Sequence, residues 1–219
     1  MNQVRFINQV RLIGLVGLAV STSVSAAEFV IYDVGAALES APRGYHYQLN
    51  NGVTTLDGDD TGSSNLGLRV GFAKSYSPRG SSIGPIVGAD VVLRRLDVGG
   101  GSVDTRSGIE VTPGLGWAPH DRWQFLLFGV AGIGVERLTR TASAGYDSAS
   151  AKGIWTTLGV RVRAQYAVKK RWWVGAEMGW TDAPGTTHGD GLDVELRPRG
   201  LGFGLTATYR INLTPTTLE

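Results

Sequence analysis

Apolar and polar residues alternate along most of this chain with a period of two, the signature of half-buried β-strands. Over residues 65–74, Leu66, Leu68, Val70 and Phe72 share one face, and Arg69 lies on the other among glycines. Residues 109–117 set Ile109, Val111, Leu115 and Trp117 against Glu110, Thr112 and Gly114. Residues 154–166 set Leu158, Val160, Val162 and Tyr166 against Thr157, Arg161, Arg163 and Gln165. In 172–180 and 201–211, Trp172, Val174, Met178, Phe203, Leu205 and Tyr209 oppose Glu177, Thr206, Thr208 and Arg210. Residues 29–38 and 86–94 read as strands with Asp33, Asp90 and Arg94 on a polar face. Residues 123–135 are apolar on both faces between Gln124 and Glu136, which leaves the strand's orientation open and allows a bulge. The pattern predicts eight strands.

The connections alternate in length. Those over 75–82, 118–122 and 167–171 are short; those over 39–64, 96–107, 138–152 and 181–198 are longer and rich in turn residues. Long and short connections in turn describe an all-β, eight-stranded antiparallel up-and-down transmembrane β-barrel, with short periplasmic turns and longer external loops. On this reading the apolar face meets lipid, because a lipid-facing charge near the midplane costs about 2–4 kcal/mol. The lumen then holds Arg69, Asp90, Arg94, Glu110, Glu136, Arg161, Arg163, Glu177 and Arg210. Counting symmetrically about Lys169 places Arg161 opposite Glu177. Trp117, Trp123, Tyr166, Trp172 and Tyr209 gather near the short turns as an interfacial girdle.

The first residues read as a leader. Arg5 and Arg11 precede an apolar run over 12–20 and a small-residue site at Val24-Ser25-Ala26. This predicts a signal peptide over 1–26, a barrel over 27–213 and a tail over 214–219. The run is too short for a membrane helix of about 20 residues. The chain carries 21 basic and 19 acidic residues, and losing Arg5 and Arg11 leaves the rest near neutral, which removes the case for nucleic-acid binding. There is no cysteine, so neither disulfides nor thiolate metal sites contribute.

Signal peptide, alternating strands, unequal connections and inward charges together resemble the small outer-membrane barrel superfamily: the OmpA transmembrane domain, the Ail/Lom adhesins, OmpW and the opacity-type porin-like proteins. The resemblance lies in pattern and covers residues 27–213. It implies an outer-membrane location, insertion by the barrel assembly machinery, and contact with outer-membrane lipid and lipopolysaccharide. Such barrels commonly end on an aromatic residue; here Leu213 and a polar tail follow Ile211.

Candidate chemistry is sparse. His46 and His188 fall in long connections and His120 in a short turn. His46 beside Ser102-Val103-Asp104 is the one arrangement with general acid-base potential, and no spacing enforces it. Asp57, Asp59 and Asp60 lack a full calcium-loop pattern, and His188, Asp190 and Asp193 are equally weak as ligands. The expectation is a non-enzymatic outer-membrane protein with a filled lumen, no cofactor and an unidentified external ligand. The alternatives are a lipid A-modifying enzyme and a narrow channel for small solutes.

Overall fold

The computed structural model describes residues 29–40, 44–50, 55–62, 64–77, 83–99, 101–140, 149–189 and 192–212. The expected leader over 1–26 and tail over 214–219 lie outside these residues. The strands are β1 (Phe29–Ser40), β2 (Gly44–Asn50), β3 (Thr55–Thr61), β4 (Ser64–Ser77), β5 (Ile83–Gly99), β6 (Ser102–His120), β7 (Trp123–Arg140), β8 (Ala149–Ala167), β9 (Trp172–Asp182), β10 (Gly185–Gly189) and β11 (Leu192–Asn212).

The expectation of an eight-stranded antiparallel up-and-down β-barrel is corrected. Among the described residues eleven antiparallel strands form one sheet, which does not close as an evenly spaced barrel. Neighbours run β1–β4–β5–β6–β7–β8, β9 and β10 both lie between β8 and β11, and β11 also pairs with β1 from Ile31–Asn212 to Ser40–Phe203. The β2–β3 hairpin hangs from the first part of β11.

Two features produce the uneven spacing. The expected loop over 39–64 contains β2 and β3, which pair with each other from Gly44–Thr61 to Asn50–Thr55. The expected loop over 181–198 contains β10, which keeps the register of β9 against β8 and β11. The break falls at Ala183-Pro184, because proline has no N–H to give the ladder. The Ala183 N–H still reaches the Pro198 carbonyl at 2.9 Å, and the Thr156 N–H reaches that of Pro184 at 2.9 Å. Gly200, with φ 139°, sits where β11 exchanges β10 for β9 on one side and β2 for β1 on the other. The expected loop over 96–107 is mostly strand, turning tightly at Gly101 with φ 75°.

Two further expectations resolve. The strand β7 carries Gln124, Leu126, Phe128 and Val130 inward without a register shift against β8. Glu177 stands opposite Arg163, two residues from the expected Arg161, which faces Gly179. The reason is the turn: it centres on Lys170 rather than Lys169, with the Val168 N–H bonded to the Trp172 carbonyl at 3.0 Å.

The interior has an apolar cluster toward each end. Ile86, Leu126 and Phe128 pack near the short turns. Tyr45, Leu96, Val194 and Leu196 pack near the long connections. Between them Trp155 is fully buried and donates its indole N–H toward the carbonyls of Ser107 and Val135 at 3.2 and 3.1 Å. Gly108 and Gly134 make room for the ring, since a Cβ on either would approach it within 2.8 Å.

Because the chain lacks cysteine, the β1–β11 pairing is directly testable. Ala36→Cys with Ala207→Cys, introduced at paired positions, is expected to cross-link with a short bis-thiol reagent and shift mobility on a denaturing gel. An unlinked double variant, with folded protein, contradicts this register.

Candidate functional site

Period two explains why the interior is ionic. Every second residue of a strand faces the same side, so one run of inward positions collects Arg69 from β4, Arg94 from β5, Glu110 from β6, Arg161 and Arg163 from β8, and Glu177 from β9. These form a continuous network with Glu39 and Asp90. Arg69 donates from Nε to Glu39 at 2.7 Å, from Nη1 to Asp90 at 3.1 Å, and from Nη2 to Glu177. Arg94 bridges Glu39 at 2.8 Å and Glu110 at 2.6 Å. Arg161 donates to Glu110 at 3.1 Å, and Arg163 to Glu177 at 3.0 Å. Arg69 is 1% exposed and Glu110 0%. Four guanidinium groups and four carboxylates therefore balance in this layer.

Smaller layers flank it. Toward the long connections, Arg106 pairs with Asp104 at 2.7 Å and Glu136 at 2.9 Å. It also donates to the carbonyls of Ala183 and Leu196, holding the chain where the proline interrupts the ladder. Toward the short turns, Arg210 pairs with Asp33 at 3.0 Å, donates to Gln124 at 2.7 Å, and stacks 4.3 Å from the Trp173 ring. Three small interior cavities lined by these residues hold about 30, 20 and 20 Å³, room for roughly a water each, whereas a pocket of about 700 Å³ that also touches Arg163 and Glu177 is lined mainly by outward residues such as Leu115, Phe125, Val162 and Phe203.

Glu39, Asp104 and Arg106 fall in the stretches 39–64 and 96–107 that the sequence pattern predicts as loops. The signal was present for two of them: Asp104 and Arg106 extend the alternation of Gly108 and Glu110. The sequence places Asp33 on a polar face, and Arg210 meets it there from the far end of the chain.

The aromatic residues lie on the outer wall near the short turns. Trp117, Trp123 and Trp172 are each close to half exposed. Trp123 meets Tyr166 at 5.1 Å and Trp172 meets Tyr209 at 5.2 Å between ring centroids. Arg171 donates to the Tyr209 hydroxyl at 3.1 Å.

At the other end, His46 lies between Asp57 and Asp59, with each ring nitrogen 3.2 Å from one carboxylate. Asp104 instead faces Arg106 inside, so the acid-base arrangement considered for His46 with residues 102–104 does not assemble. His188 contacts Asp193 at 2.7 Å. Asp190 and the His120 side chain lie outside the described residues. The Tyr45 hydroxyl donates to the Val98 carbonyl at 2.6 Å, and burial, reinforced by the Asp60 carboxylate, pushes its pKa up to about 12. Among the described residues no group of three or more His, Cys, Asp or Glu is placed to hold a metal ion.

No protein-family model matches the chain, and no curated protein matches it in sequence. In structure the chain is similar to several small outer-membrane β-proteins. The outer membrane protein OprG from Pseudomonas aeruginosa aligns at TM-score 0.46 and 12% identity, covering 85% of this chain and 98% of its own. Neisserial surface protein A aligns at 0.42 and 12%, covering 83% and 97%. Ail, the attachment invasion locus protein of Yersinia pestis, aligns at 0.38 and 13%, covering 82% and 98%.

Removing one partner of a buried ion pair costs about 3–5 kcal/mol, because the other charge is left uncompensated. Glu177→Ala, which removes the carboxylate paired with Arg163 and one of the three paired with Arg69, is expected to lose that much in urea unfolding in detergent micelles. Asp193→Ala, which breaks an exposed pair, is expected to change the midpoint by no more than about 1 kcal/mol. Equal effects of the two substitutions contradict the network's role.

Proposed function

We propose that the chain is an integral outer-membrane protein with a non-enzymatic role. Its sheet stands in the bilayer, its ionic interior stays filled, and its long connections present a surface outside the cell. The observation that carries this reading is the inversion of polarity across the sheet. Leu205 is 69% exposed, Phe203 59%, Val91 58% and Val160 56%, whereas Arg69, Glu110 and Arg161 are buried. A protein in water buries the first kind and exposes the second. Contiguous apolar surface beyond a few hundred Å² marks an interaction site, and here it extends over β4–β9 and β11.

The dimensions suit a bilayer. The outward face of β7 is apolar from Trp123 to Val135. At about 3.4 Å per residue and the tilt of roughly 40° usual for membrane strands, that run spans about 30 Å. The aromatic residues then mark one interface. The leader expected over 1–26 supplies the route of export, and the barrel assembly machinery is the partner that such insertion requires. The water-sized interior cavities favour a support and surface-presenting role over a solute channel.

The test is depth dependence on the outer wall. Val160→Arg, at mid-height, is expected to cost about 2–4 kcal/mol of folding in lipid vesicles, and Ile154→Arg, near the long connections, about 0–1 kcal/mol. The wild-type chain is expected in the outer-membrane fraction, with heat-modifiable gel mobility. A chain recovered in the periplasm without detergent, or equal costs at the two depths, overturns the proposal.

A further inference from the structure

One interior layer does not balance. In the central layer guanidinium groups and carboxylates match in number, and toward the short turns Arg210 meets Asp33 one to one. Toward the long connections, Asp104 and Glu136 share the single guanidinium of Arg106. The two carboxylates are 0% and 2% exposed, and Arg106 is 4% exposed. Arg94 lines the same small cavity as Asp104 and Arg106, but Glu39 and Glu110 already hold it. Arg140, four residues further along β7, has an interaction of its own. The inward residues that β8, β10 and β11 bring to this layer are uncharged, among them Trp155, Thr187 and Leu196. On the outer face of the same region, Asp182 pairs with Arg197 and His188 with Asp193.

The imbalance leaves oxygens over. Asp104 Oδ1 and both carboxyl oxygens of Glu136 are buried and accept no hydrogen bond, although Arg106 Nη2 lies 2.9 Å from Glu136 Oε2. The Glu136 carboxyl rests against Gly185, the first residue of β10, where a Cβ would collide with it. Arg106 has a second duty at the same place, donating to the carbonyls of Ala183 and Leu196. Two carboxylates and two carbonyls therefore draw on one cation. A buried anion without a counter-ion takes up a proton instead, and a buried carboxylate beside another keeps its proton to higher pH than one in water.

We infer that Asp104, Arg106 and Glu136 form a proton-held latch on β10. With one proton shared by the two carboxylates the group is neutral, and Arg106 keeps its hold on Ala183 and Leu196. When the proton leaves, an uncompensated anion lies against Gly185, water enters to solvate it, and β10 loosens at the break beside Pro184. The strand is suited to this, because it is only five residues long and is already severed from β9. The folded latch holds a proton that the unfolded chain has lost above about pH 5. Folding therefore takes up a proton, and the stability of this end falls as pH rises. The latch is closed on the acid side and open on the alkaline side. It goes beyond the membrane reading and does not depend on it.

The experiment uses the folded chain in detergent micelles with one spin label, at Thr186→Cys on the exposed side of β10 or at Leu68→Cys on β4 as the reference; the chain has no other cysteine. Spectra are taken from about pH 5.5 to about pH 9.5, where carboxylates in water, lysines and arginines keep their charge. The label at position 186 is expected to be immobile on the acid side and to become mobile, reversibly, as pH rises, while the label at position 68 does not change. Glu136→Gln and, separately, Asp104→Asn leave one carboxylate for the one guanidinium. Each is expected to abolish the transition and keep position 186 immobile throughout. Both substitutions nearly preserve shape, and heat-modifiable mobility checks folding, so either variant serves if the other does not fold. His188→Gln removes the other titrating group on β10 and is expected to leave the transition in place. No transition in the wild-type chain, a transition that survives in either folded carboxylate variant, or its loss in His188→Gln overturns the latch. Suppression of the alkaline transition by millimolar calcium also overturns it, because a metal cation then balances the pair in place of a proton.

Discussion

A charged side chain on a sheet with an apolar outer wall has to turn inward, and once inside it must find an opposite charge. That requirement organises the described structure. Arg69 is the clearest case: buried at 1% exposure, it reaches Glu39, Asp90 and Glu177 on three other strands. A guanidinium suits this task because it presents five donors in a fixed planar fork. The network is not itself evidence of high stability, since desolvating such pairs offsets much of their attraction. Its force is conditional: each member makes the loss of any other expensive.

The same requirement explains the small residues beside the carboxylates. Inward positions alternate between long ionic side chains and glycine, and the two interlock. A Cβ on Gly67 would sit 2.7 Å from the Glu39 side chain, one on Gly132 2.8 Å from Glu110, and one on Gly204 2.9 Å from Glu177. The abundance of glycine in the composition is therefore, at these sites, a packing device. The ends of the interior are treated differently. At the short-turn end Ile86, Leu126 and Phe128 pack beside the Arg210–Asp33–Gln124 group, and Tyr45 from the β2–β3 hairpin joins the apolar cluster at the other.

What the sequence made legible follows from how local each signal is. Parity is local, so the faces of the strands containing Leu66, Ile109, Val160, Met178 and Phe203 could be read directly. Strand length and number were less accessible. Asp104 and Arg106 continue an alternation, but the glycines over 99–101 and neighbouring polar residues resemble a loop. Pro184 interrupts a line of strand that keeps its register, and Tyr45 anchors a hairpin through contacts with β5 and β11 distant in the chain. The exact facing of Arg163 and Glu177 depended on a one-residue difference in where a turn centres, which moves a cross-strand partner by two. The strand β7 was ambiguous because its inward residues Leu126, Phe128 and Val130 are as apolar as its outward ones. Leu126 and Phe128 pack inside with Ile86 and Ala73, a fact of tertiary structure.

With the sheet standing in a bilayer as proposed, the aliphatic wall touches acyl chains while the ionic face does not. Spin labels at Ile133→Cys, on the wall, and at Thr157→Cys, inside, measure this directly in lipid vesicles through collisions with oxygen and with a water-soluble nickel complex. The account predicts high oxygen and low nickel accessibility at position 133, and low accessibility to both at position 157. High nickel accessibility at position 133 in the folded protein contradicts it.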